Sequence, residues 1–324
     1  MKLKRRNILF LIFFILIIFF IIIVFKYLNT EDDKNPIYRM AYISKDDNLT
    51  FISEGINQAS KDMNVEVEVY RITKENKIKE QNKLLERCIN DDIDAIIISP
   101  VDYEKISEVI NKHNYNGPVI LMDFKIDLKK KLSYISCNDY DIGKSLAEEI
   151  IQRGNTSENF VILGNEEEFE TLEEINKGFI EEVNNTRNKY KYVKISEDEN
   201  KQYSEILKYI EENRVDVIVS FDSEILEVIA KIKKDLYMEN KRDNSDFEVY
   251  GVGLTNKILS YVEENIIDAV AVKNEFNLGY LSVEMAVNKL KNNKVEEKDI
   301  DFSIVNKRNM YSERNEKLLF PFVK

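Results

Sequence analysis

The sequence is poor in the residues that carry chemistry. One histidine, His113, occurs in 324 residues, which excludes a histidine-rich metal site and leaves a Ser-His-Asp triad only that one ring. It precedes Asn-Tyr-Asn-Gly-Pro at an expected helix end, where it reads as a surface or capping residue. Nine glycines provide no Gly-x-x-x-x-Gly-Lys phosphate loop, and the Gly251-Val252-Gly253 pair lacks the third glycine and the helix start of a dinucleotide fingerprint. Two cysteines, Cys88 and Cys137, impose no disulfide framework, and a bond between them stays open because sequence does not give their separation. An enzyme is not expected, nor a cofactor or a metal. The formal net charge of -12 argues against nucleic acid as a partner.

What the chain does have is a long apolar run. Ile8 to Phe25 is unbroken by any polar residue and follows Lys2, Lys4, Arg5 and Arg6. At about 1.5 Å per residue this stretch reaches about 27 Å, nearly the hydrocarbon thickness of a bilayer. Basic residues ahead of it place the N-terminus in the cytoplasm and the remainder outside. No Ala or Gly follows as a cleavage site, and no Cys follows as a lipid attachment point. The expectation is a single-pass cell-membrane protein: residues 1–7 a cytoplasmic flank, 8–26 a transmembrane signal anchor, 27–36 a polar linker ending in Pro36, and the rest an extracytoplasmic domain.

From Ile37 onward, short apolar runs alternate with stretches of helical period, the mark of repeated βαβ units. Ala95-Ile96-Ile97-Ile98 is a continuous apolar strand of the kind covered on both faces. About ten strands are expected, too many for one ordinary doubly wound sheet, so the economical architecture is α/β with two parallel-sheet lobes. In such sheets ligands bind beyond the carboxyl ends of the strands. Those ends read Ser44-Lys45-Asp46-Asp47-Asn48, Ser99-Pro100-Val101-Asp102, Asp123-Phe124, Cys137-Asn138-Asp139, Gly164-Asn165, Ser220-Phe221-Asp222, Gly251-Val252-Gly253 and Lys273-Asn274.

With Pro118-Val-Ile-Leu-Met-Asp123, Asn176-Lys-Gly178-Phe179 and Asp216-Val-Ile-Val-Ser-Phe-Asp222, the order and spacing of these segments resemble the type I periplasmic-binding-protein-like family. Specifically they resemble the ribose- and galactose-type sugar-binding branch, over about residues 37–310. The resemblance implies two lobes joined by a three-crossing hinge that close on a small solute, with lobe 1 holding about 37–137 plus 275–300 and lobe 2 about 138–274 plus 301–324. It also shows departures. Phe124 stands where the family has an Arg, Glu173 replaces the second-lobe Arg, Phe221 an Asn, Gly253 an Asp, and Lys273 a Gln. Two readings stay open. In one, Asp46, Asn48, Asp102, Asp123, Asn138, Asp222 and Lys273 form a different polar set, with Phe51, Phe124 and Phe221 supplying flat apolar surface for a ring. In the other, tight binding is lost and the domain serves interaction or sensing. The implied partner is a sugar-like solute together with an ABC importer or, alternatively, a membrane sensor such as a histidine kinase.

Overall fold

The computed structural model of the chain describes residues 16–20, 37–45, 49–72, 76–122, 132–165, 172–239, 246–295 and 298–321. Two compact units are present, Met1–Tyr38 and Arg39–Lys324. Within the first, residues 16–20 are helical, and the rest of the expected membrane span lies outside the described residues. Among the described residues, no helix is long and apolar enough to cross a membrane.

The second unit contains two six-stranded sheets. In chain order the first half runs β1 (Arg39–Ser44), α1 (Thr50–Met63), β2 (Glu66–Arg71), α2 (Lys77–Asn90), β3 (Ala95–Ile98), α3 (Tyr103–Lys112), β4 (Val119–Met122) and β5 (Leu132–Cys137). The second half repeats the scheme: α4 (Asp139–Gln152), β6 (Asn159–Gly164), α5 (Glu173–Asn184), β7 (Lys189–Lys194), α6 (Glu199–Glu212), β8 (Val217–Ser220), α7 (Ser223–Met238), β9 (Glu248–Val252), α8 (Asn256–Glu263) and β10 (Ala269–Lys273). There follow α9 (Glu275–Leu290), β11 (Lys298–Ile300), β12 (Phe302–Val305) and α10 (Glu313–Leu319). The sheets are ordered β11-β5-β4-β3-β1-β2 and β12-β10-β9-β8-β6-β7, so the two halves share one topology. Every neighbouring pair is parallel except β10 with β12. The strands β11 and β12 and helix α10 go beyond the alternation read from sequence, which ends with the helix now seen as α9.

Burial follows the apolar runs. Every residue of β3, β4 and β8 is buried, as expected for strands covered by helices on both faces. Cys88 and Cys137 are both buried free thiols. Each half also ties its strand starts together through a carboxylate: Asp94 accepts the backbone N–H of Arg39 at 2.8 Å, and Asp216 accepts that of Asn159 at 3.0 Å and the Asn159 amide at 2.6 Å. Burial alone would raise the Asp216 carboxyl, but the hydrogen bonds from Asn159 and Arg214 outweigh it and hold it below its ordinary 3.8. A depressed folded value means that the charged form stabilises above the unfolded value and that this contribution fades as pH falls through the folded one. Asp216→Asn is therefore expected to lower the urea midpoint at pH 7, with the gap to wild type closing below pH 3.8 in parallel titrations of the two proteins.

The chain passes between sheets three times, at Asn138, Asn274 and Asp301. These crossings are tied to one another. The carbonyl of Asp301 accepts the Asn274 N–H at 3.0 Å and lies 3.9 Å from the Cys137 Sγ, while Lys273 Nζ stands 3.0 Å from Asp139 Oδ1. Because α4 packs on β9, β10 and β12, and α9 packs on β3, β4 and β5, each crossing changes lobe.

Two helix pairs pack closely, α1 with α9 and α4 with α5. Both cross at glycines. A Cβ on Gly55 would lie 2.0 Å from the Phe276 carbonyl oxygen and one on Gly279 2.2 Å from that of Ile52; Gly143 and Gly178 stand in the same relation to Ile175 and Tyr140, at 1.9 and 2.1 Å.

Candidate functional site

The carboxyl ends of the parallel strands carry the loops that the three crossings join. Four of the residues expected there, Asp46, Asn48, Asp123 and Phe124, lie outside the described residues. The others can be placed.

Asp102, Asn138 and Asp222 each occupy the position just before a helix, where the first backbone N–H groups have no intrahelical acceptor. Asp102 Oδ1 accepts the Lys105 N–H at 3.1 Å, Asn138 Oδ1 that of Asp141 at 3.3 Å, and Asp222 Oδ1 that of Ile225 at 2.8 Å. All three are N-caps, an arrangement worth about 1 kcal/mol each. Capping engages one oxygen of the Asp102 and Asp222 carboxylates and the amide oxygen of Asn138. Asn138 also donates to the Asp141 carboxylate at 2.6 Å.

The two aromatic residues differ in what they pack against. Phe221 belongs to its own lobe, meeting Phe179 edge-on with ring centroids 5.4 Å apart, and Phe179 in turn packs on Phe160. Phe51 starts α1 in lobe 1, yet its ring, 6% exposed, belongs to the hydrophobic cluster of lobe 2 that includes Leu254 just after β9. Phe51 therefore bridges the cleft. Lys273 ends β10 with its side chain 17% exposed and faces Asp139 across the first and second crossings.

One residue was not singled out in the sequence. Gln81 on α2 is buried; its amide donates to the Ser99 carbonyl at 2.8 Å, and its oxygen accepts the Val101 N–H at 2.8 Å. It fixes the β3–α3 loop that presents Asp102. The available signal was a lone polar residue on the apolar face formed by Leu85 and Cys88. Two cavities open among the described residues. One of about 430 Å³ is formed by Asn138, Asp141, Asp301 and Arg314 beside the crossings. Another of about 800 Å³, lined by Asp216, Lys233, Glu248 and Asp268, sits at the opposite, amino ends of the lobe 2 strands.

Two doubly wound sheets of identical order, joined by three adjacent crossings and meeting through a side chain at their carboxyl ends, define a two-lobed α/β fold of the periplasmic-binding-protein type. The chain belongs to the periplasmic binding protein domain family, whose profile matches residues 40–294. No curated protein matches it. Among solved structures it resembles a carbohydrate transporter solute binding protein from Agrobacterium radiobacter in complex with D-arabinose, at a TM-score of 0.73 and 20% identity over 88% of this chain and 99% of that one. An ABC transporter solute binding protein from Agrobacterium vitis with bound D-fucose gives a TM-score of 0.76 and 17% identity, covering 87% of this chain and 100% of the other. The XylFII–LytSN complex gives a TM-score of 0.71 at 18% identity, covering 84% and 98%. At these identities the likeness is one of fold: that of type I sugar-binding proteins of ABC transporters.

Proposed function

We propose that the chain is a membrane-anchored, extracytoplasmic solute-binding protein that closes on a small, sugar-like ligand and presents it to an ABC importer. The observation that carries this reading is the bridging of the lobes by Phe51, because an aromatic face at the mouth of such a cleft is the surface on which the apolar side of a sugar ring packs. Lys273, at the end of β10 and paired with Asp139, is a charged donor at a strand end of the second lobe. Anchoring rests on the apolar run of residues 8–25 and its basic flank. The purified chain is expected to gain thermal stability with one of a panel of pentoses, hexoses and amino acids. A ligand at 100 times its dissociation constant adds about 2.7 kcal/mol. Absence of a shift across the panel sinks solute binding.

A second reading has its own support. XylFII is solved in complex with another protein, LytSN, so a neighbour of the same fold assembles with a protein partner. In that reading the anchored domain is a receptor subunit that passes lobe closure to a membrane partner such as a histidine kinase. Co-purification from native membranes separates the two: importer subunits support transport, and a kinase supports sensing.

A further inference from the structure

Each sheet ends in an edge strand, and the two edges carry opposite charge. β2 closes one sheet with Glu66-Val67-Glu68-Val69-Tyr70-Arg71, and β7 closes the other with Lys189-Tyr190-Lys191-Tyr192-Val193-Lys194. The N–H of Lys189 bonds to the carbonyl of Glu158 just before β6 and that of Ile195 to Gly164 at its end, and that of Ile72 bonds to Ser44 at the end of β1. Since N–H and C=O of one strand residue point the same way and alternate along the strand, the outward backbone groups belong to Val67, Val69 and Arg71 on β2 and to Tyr190, Tyr192 and Lys194 on β7. The same strands expose apolar surface, with Val69 37%, Tyr190 39% and Tyr192 40% accessible.

We propose that β2 of one copy pairs antiparallel with β7 of a second copy, joining molecules head to tail. A register that sets Tyr190 opposite Val67 aligns outward-facing backbone on both strands. The same register sets Lys191 opposite Glu66 and Lys189 opposite Glu68, in the non-hydrogen-bonded positions where side chains approach most closely. Tyrosine then meets valine on one face and lysine meets glutamate on the other. Glu68 also touches Arg39 and Tyr70 within its own chain but keeps 42% of its side chain exposed, and Lys191, also exposed, lies over the Tyr209 ring. Lysines on an edge strand commonly deter pairing. Here they oppose β7 against β7, and the glutamates oppose β2 against β2, so like-with-like contacts are disfavoured and the mixed contact is selected. A heterologous contact of this kind adds copies head to tail, giving a ring where the rotation closes and an open filament where it does not.

The test is disulfide trapping in the full-length chain carrying Glu66→Cys and Lys191→Cys, in which the native Cys88 and Cys137 are buried. Oxidation is expected to give a ladder of dimer, trimer and higher species on non-reducing gels, with neither single variant going beyond the wild-type background. In sedimentation at low salt, Lys189→Glu with Lys191→Glu should weaken self-association about tenfold or more, and adding Glu66→Lys with Glu68→Lys should restore it, since screened ion pairs act only at short range. A chain that stays monomeric, single variants that cross-link as well as the double, or charge reversal without effect each overturns the proposal.

Discussion

Replacing Gly143 with alanine is expected to lower the thermal unfolding midpoint by roughly 2–12 °C. The new Cβ would sit 1.9 Å from the Ile175 carbonyl oxygen and 3.0 Å from the Phe179 nitrogen, inside contact distance of backbone on the neighbouring helix. Backbone cannot rotate away as a side chain can, so α4 and α5 must separate. Separation opens the packing of Ile142, Leu146 and Ala147 against Ile175 and Phe179, all buried at this crossing. Overpacking of a tight core costs about 1–3 kcal/mol and more where it strains backbone, and a lobe of this size loses about 2–4 °C per kcal/mol. Gly154→Ala is the control, because its site has nothing within 4 Å and only a positive φ of 109° to strain. That variant should lose about 1–2 kcal/mol. Calorimetry in which the two variants melt together would show that the helix pair yields without cost.

The same crossings show where sequence reasoning stops. Continuous runs such as Ala95–Ile98 and Val217–Ser220 announce buried parallel strands because nothing else tolerates four apolar side chains facing both ways. By contrast, Lys298–Ile300 and Phe302–Val305 are three and four residues long, with polar neighbours, and become strands only because a sheet edge is there to receive them. A glycine within a helical pattern gives no hint of which carbonyl it lies against. At the strand ends, Asp102, Asn138 and Asp222 stand where a ligand contact and an N-cap coincide in the same residue types, and only the hydrogen bonds show the cap. Phe51 is legible as an aromatic residue after the first strand, yet its entry into the core of the other lobe depends on the meeting of two segments distant in the chain.

Phe51→Ala is expected to separate the lobes. Its ring contributes to the lobe 2 cluster from a helix that lobe 1 holds through Ile52, Ile56 and Ala59, so its removal leaves α1 seated and deletes a bridge between domains. Truncating a buried phenylalanine costs about 3–5 kcal/mol in a core. If even about 3 kcal/mol of this is lost from the closed form alone, the closed-to-open ratio falls by about two orders of magnitude. Small-angle scattering of Phe51→Ala should therefore show a larger radius of gyration than wild type, and Phe51→Leu should restore most of the compactness. Phe221→Ala supplies the contrast, because that ring packs on Phe179 within one lobe and its loss should lower stability without expanding the molecule. An unchanged radius of gyration in Phe51→Ala, alongside lost stability, would reduce the ring to ordinary core and remove the basis for closure through it.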